Sequence, residues 1–203
     1  RVKDAGMFVI PTLSVIESVA GVAGSADIAD SSPLAPFLTP DEKAALSASF
    51  PQRAGTKVRL EHATMAARQL HAAGVPILAG SDAPNPGTTH GATLHRELEL
   101  LARAGLSPVA ALAAATSVPA DAFGLGDRGR IAVGRRADLV LVDGDPTADV
   151  TMTRRIVEIW KGGVRLDRKP APTEAALAEA TASGRISDFD GTDITAEFGD
   201  GWQ

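Results

Sequence analysis

Five apolar residues in unbroken succession, Val75 to Ala79, run into Gly80-Ser81-Asp82. A short apolar run closed by a turn signal reads as a strand buried on both faces, which predicts Asp82 at the strand's C-terminal end. Beyond it Pro84, Pro86 and Gly87 interrupt both strand and helix, and His90-Gly91 opens a segment with Leu94, Leu98 and Leu101 at helical spacing. Strand, carboxylate, loop and helix together form one βα unit. Upstream, Arg1 to Gly6 reads as a helix end. Met7 to Val15 reads as a preceding strand whose hydrogen bonding ends near Ile10, because Pro11 removes a ladder donor. Thr12 and Ser14 then face the mouth of the site.

The remaining pattern divides the chain. Glu17 to Phe37 has no periodicity and is expected as a long loop. Thr39-Pro40-Asp41-Glu42 carries an N-cap, a proline at the first helical position and the closing acid of a capping box, so a short helix to about Ser49 should cover the mouth. Leu60, Ala63, Ala67 and Leu70 predict a crossover helix within Lys57 to Ala73, stopped by Gly74. Ser107-Pro108 begins a further helix of small apolar residues, and Val118 to Phe123 continues the helical reading before Gly124. Arg130–Val133, Ala137–Val142 and Ile156–Trp160 then read as strands separated by Gly134, Gly144-Asp145-Pro146 and Gly162-Gly163. Pro170 to Gly184 is an Ala and Glu rich linker, helical to about Ala180. The expected units are therefore residues 1–124, 125–169 and 170–203.

Composition narrows the function. With 44% hydrophobic residues the chain can form a packed core. The formal charge of −5 is concentrated at one end. Residues Thr173 to Gln203 hold seven acids against Arg185 alone, so that segment is −6 and the remainder +1. No clustered basic stripe exists to hold a nucleic acid. The absence of cysteine excludes disulfides and thiolate metal sites, so a metal would need histidine and carboxylate ligands. No apolar run approaches the ~20 residues of a membrane span, and no basic-then-apolar leader opens the chain. A soluble protein is expected, cytoplasmic or secreted according to what precedes Arg1.

Few residues carry candidate chemistry. An Asp after a buried strand either caps the following turn or presents a carboxylate for metal binding and proton transfer, and Asp82 fits both. His90, with Thr89 and Thr88 before it, either contacts a substrate or completes the loop. His62 and His71 lie nine residues apart on the crossover helix and therefore face opposite sides, so they cannot form a helical metal pair. His95 is expected to be structural, spaced to meet Glu99. Glu97 and Glu99 alternate with apolar residues and are expected on a solvated helix face. Asp138, Asp143 and Asp145 are expected in turns, since no glycine stands in calcium-loop register after them.

Taken together, GSDAP from Gly80, the His90-Gly91 pair, LHRELELL from Leu94, AGLSP from Ala104 and GRIAVGRRADLVLVDGDP from Gly129 resemble the C-terminal part of a metal-dependent amidohydrolase, in the imidazolonepropionase-like and prolidase-like branch. The resemblance covers about residues 1–167. It implies an α/β fold: strands 7 and 8 of a (β/α)8 TIM-like barrel, with strands of a small β-sandwich. It implies a hydrolase of C–N bonds in amides, cyclic amides or peptides, acting through metal-activated water, with one or two divalent ions, zinc foremost. Asp82 takes the family's strand-8 role of metal ligand and proton shuttle, and His90 and Thr89 the role of substrate contacts.

The same resemblance implies an HxH pair, a bridging group and two strand-end histidines, and this chain of four histidines contains no HxH. Those ligands are expected in an N-terminal segment of the same enzyme, without which the chain should be inactive. The expected partners are that segment and a small amide or peptide substrate, with neither nucleic acid nor membrane; a homo-oligomer is left open. Residues 186–203 faintly resemble the opening strand of an appended β-sandwich module. The alternative reading is a non-catalytic module that binds a partner through an open barrel edge.

Overall fold

In the computed structural model, residues 1–52, 55 and 57–182 are described. The helices are α1 (Leu13–Val19), α2 (Ala26–Asp30), α3 (Pro40–Ser47), α4 (Leu60–Ala72), α5 (Ala92–Arg103), α6 (Pro108–Ala114), α7 (Ser117–Ala122) and α8 (Glu174–Ala182). A three-stranded sheet has the order β1 (Leu139–Val142), β2 (Ile156–Lys161), β3 (Val164–Leu166), with 3-10 turns at Ala35–Phe37 and Val150–Arg154. The expectation for residues 186–203 lies outside the described residues.

Helix α5 is the central element. Thr93, Arg96, Glu97, Leu98, Leu100 and Leu101 on it are all buried, so it presents almost no solvated face. Leu98, Leu100 and Leu101 pack with Leu13 of α1, Ile77, Ala67 of α4, Ala111 and Ala114 of α6, and Val150. A second cluster joins Ile28, Leu34, Leu38, Leu46 and Ala92. Its presence corrects the expectation of a structureless Glu17–Phe37. Helices of five to seven residues are too short to show a period, but they bury Ile28 and Leu34 against α3 and the start of α5.

The two predicted strands at the site are reduced to one parallel contact, Val9 with Ile77. Val9 donates to the Pro76 carbonyl at 3.0 Å and accepts from Leu78 at 2.9 Å, while Ala79 donates to Ala114 of α6 at 2.8 Å. The Met7–Val15 strand stops at Thr12, whose left-handed φ of 47° turns the chain directly into α1. Pro11 had removed the donor that would have continued the ladder.

Elsewhere local signals hold. Thr39 forms a full capping box with Glu42, and the Ser107 hydroxyl accepts from Ala110 at the start of α6. In the sheet, β2 and β3 form a hairpin that was not anticipated. Gly162 and Gly163, both at positive φ (58° and 83°), make a two-residue connection of the kind whose twist matches antiparallel strands. Arg130–Val133 is not a strand, because Ile131 and Val133 are fully exposed with no strand beside them.

Candidate active site

Gly80 carries the chain past Ile10 and Thr12 so closely that an added Cβ would come within 2.5 Å of Ile10 Cγ2. Two residues later Asp82 adopts φ 50°, left-handed and unusual for a residue with a side chain. Its backbone carbonyl accepts from Asn85 Nδ2 at 2.6 Å, and Asn85 N–H donates to Thr88 Oγ1 at 3.0 Å. These bonds consume the backbone of the turn and leave the carboxylate exposed, with no hydrogen-bond or ion-pair partner among the described residues. The capping role considered for Asp82 is thus taken by Asn85 and Thr88, whose side chains organise the loop.

The loop is anchored from below. Ser18 of α1 donates to the Pro86 carbonyl at 2.5 Å, and Gly87 N–H donates to the Ala45 carbonyl of α3 at 2.8 Å. Gly87, at φ 84°, lies against Ser18 and the Ala48 carbonyl, where a Cβ would collide. Thr88 and Thr89 are buried, and Thr89 N–H donates to Thr93 Oγ1 at 2.7 Å at the entry of α5. The Thr89 hydroxyl itself is enclosed without a partner among the described residues. His90 is exposed. A hollow of about 550 Å³ lies beside this loop, lined by Pro84, Pro86, Thr89 and His90 on one side and by Asp41, Glu42 and Ala45 of α3 on the other. His90 and Thr89 therefore share one cavity wall, which Asp82 does not line, and α3 forms the opposite wall.

Among the described residues no group of three or more His, Cys, Asp or Glu side chains could hold a metal ion. His62 and His71 are exposed on α4. Asp82 itself fits a single oxygen donor, being exposed and unpaired. The chain thus presents one candidate ligand and not a complete cage.

Charged residues that the sequence reading set on a solvated face lie inside. Glu97 is fully buried, and its two carboxylate oxygens accept from Leu13 N–H at 3.0 Å and Ser14 N–H at 2.8 Å, the first two amides of α1. Burial pushes its pKa up to about 7 against the lowering effect of those two bonds, and the nearby charge of Glu17 raises it further. Arg96 forms a two-armed contact with the buried Glu17 at 2.9 and 2.6 Å and a third bond with Glu99 at 3.0 Å. Glu99 also binds Arg103 and Arg154, and Arg154 continues to Asp27. His95 meets Thr153 Oγ1 at 2.9 Å, and burial, followed by the charges of Arg154 and Arg168, lowers its pKa to about 4.

Glu97 and Glu99 are buried or nearly so because α5 has no free face to offer them. The signal for Glu97 was in its register, three residues after Leu94 and four before Leu101 and so beside the apolar stripe, whereas Arg96, Glu99 and Arg103 share the other face. The reading of His95 as structural agrees with its bond to Thr153, but the partner expected from spacing, Glu99, is engaged by Arg96, Arg103 and Arg154 instead.

An exposed carboxylate follows the Val75–Ala79 segment, and a hollow lies beside the next loop. The chain belongs to the amidohydrolase family, whose model matches residues 16–166. It is 35% identical over 103 residues to an imidazolonepropionase of Deinococcus deserti, covering 49% of this chain and 26% of that protein. It is 56% identical over 74 residues to an adenine deaminase of a Methylobacterium species, covering 36% of this chain and 11% of that one. Among solved structures, a Xaa-Pro dipeptidase with bound methionine superposes with a TM-score of 0.59 at 23% identity, over 82% of this chain and 36% of its own. An amidohydrolase superposes at 0.55 with 25% identity, over 83% and 36%. The chain thus spans between 11% and 36% of the length of these proteins. These neighbours have a TIM-barrel-type fold, and the family is generally dependent on divalent metal. Among the described residues no helix is long and apolar enough to cross a membrane.

Proposed function

We propose that this chain supplies the strand-8 aspartate and part of the substrate hollow to a hydrolase of C–N bonds, in amides, cyclic amides or peptides. The observation that carries the reading is Asp82, an exposed carboxylate at the end of the Val75–Ala79 segment, with the turn after it satisfied by other side chains. Asp82 would be one metal ligand, and the other ligands would come from sequence outside this chain. Bound there, a divalent ion, zinc foremost, would lower the pKa of a water towards about 7 and polarise a carbonyl. The Asp82 carboxylate would take up the proton of the attacking water and return it to the leaving nitrogen. His90 and Thr89 would contact the substrate across the hollow, opposite α3.

The test is Asp82→Asn in the enzyme expressed from its complete reading frame, with bound metal read by elemental mass spectrometry and turnover read on a panel of amides, cyclic amides and dipeptides. Loss of at least roughly a hundredfold in turnover, with unchanged far-UV circular dichroism, is expected. Near-normal hydrolysis would refute the assignment.

A further inference from the structure

We propose that Glu97 is a positioning residue for Asp82, acting through the start of α1. The inference rests on the reading of Asp82 as the working carboxylate. Thr12, at the N-cap position of α1, is left-handed and makes no side-chain cap. The first amides of a helix have no partner within it, and here the Glu97 carboxylate, on another helix, receives those of Leu13 and Ser14. Ile10, two residues before Thr12, lies against Gly80 so closely that a Cβ there would come within 2.5 Å of Ile10 Cγ2, with Thr12 Cγ2 at 4.0 Å from the same point. Gly80 is two residues before Asp82 and follows Ala79, which α6 holds through Ala114.

The connection is short: buried carboxylate, two amides, a left-handed turn at Thr12, and the side chain of Ile10 against Gly80, two residues before Asp82. Ser18, further along the same helix, holds the far side of the loop through Pro86. The Ile10–Thr12 segment that leads into α1 therefore lies against Gly80, Ser18 of α1 bonds the loop at Pro86, and Glu97 sets the N-terminal end of the helix between them.

A carboxylate offers both oxygens to two amides, whereas the protonated or amide form turns a donor toward one of them. The charged groups around Glu97 are few. Glu17 faces it from α1 and is itself paired with Arg96. Arg154 of the Val150–Arg154 turn engages Glu99, Arg68 of α4 donates to the Ala104 carbonyl, and α6 has no ionisable side chain.

The test uses the isotopically labelled 203-residue chain. Glu97→Gln should cost roughly tenfold or more in amide-exchange protection at Leu13 and Ser14, and should shift the amide resonances of Gly80, Ser81 and Asp82. Loss of protection at Leu13 and Ser14 with unmoved Gly80–Asp82 resonances would overturn the proposal, leaving Glu97 a purely structural cap. Should the variant not fold, the unmodified protein is titrated from pH 5 to 9. The Glu97 carboxyl carbon, the Leu13 and Ser14 amides and the Gly80–Asp82 amides should share one midpoint, and separate midpoints would overturn it. Asp82→Asn in the enzyme expressed from its complete reading frame, with bound zinc read by elemental mass spectrometry, examines the metal role independently: an unchanged zinc content there sinks the ligand assignment while leaving the backbone linkage to Glu97 standing or falling on its own resonances.

Discussion

His95 and Glu97 are two residues apart on α5, and their titrations should oppose each other in the stability of the fold. His95 has an ordinary value of 6.5 lowered to about 4, so between these limits the unfolded chain holds a proton that the folded chain does not. Stability from this group rises with pH across that window and is lost as pH falls through it. Glu97 has an ordinary value of 4.5 raised to about 7, so between these limits the folded chain holds the extra proton. Its contribution is fully present below 4.5 and is lost as pH rises through 7. At about 1.4 kcal/mol per pH unit, each group is worth roughly 3 kcal/mol across its window, with opposite sign. From about pH 4.5 to 6.5 the two slopes should cancel.

The perturbation is to remove one at a time. His95→Asn keeps a polar contact for Thr153 and should lose roughly 3 kcal/mol relative to the unmodified protein between pH 4 and 6.5. Glu97→Gln should gain a similar amount relative to it between pH 4.5 and 7, from a lower start set by the weakened cap. Urea unfolding followed by far-UV circular dichroism at half-unit pH steps reads both differences, and comparison with the unmodified chain removes the contribution of the exposed carboxylates. Curves for the two variants that run parallel to that of the unmodified protein, or that diverge from it in the same direction, would refute the reasoning.

Two further outcomes concern the contacts that hold α1, α5 and α3. Arg96→Met leaves the buried Glu17 without its partner and should cost roughly 3–5 kcal/mol, while combining it with Glu17→Leu should recover most of the loss; additive losses in a double-mutant cycle by urea unfolding would show that the pair does not act as a unit. Thr39→Ala removes the acceptor of Glu42 N–H from the capping box of α3 and should cost about 1 kcal/mol in chemical unfolding, whereas an unchanged midpoint would mean that α3 is held by Leu46 alone.

The elements legible in the sequence were those whose evidence is local. The capping box at Thr39, the Ser107 cap, the helix ending before Gly74 and the strands at Leu139 and Ile156 each rest on residues a few positions apart. The Met7–Val15 strand failed because its length depended on a partner, and the partner pairs only at Ile77. The helices within Glu17–Phe37 were missed for a related reason: their stability comes from Leu46 and Ala92, far along the chain.

For the site, the sequence alone determined that a carboxylate would stand at Asp82 after a buried segment and that His90 would follow it into a helix, because apolar runs, glycines and prolines act over a few residues. It also determined the family, through motifs spread from Gly80 to Pro146. Only the tertiary structure decided which charges are buried. Glu97 reaches across 84 positions to Leu13, and Arg96 across 79 to Glu17. Burial is a property of everything packed around a side chain, and a charge can enter the interior only where a distant partner meets it, which no local pattern encodes.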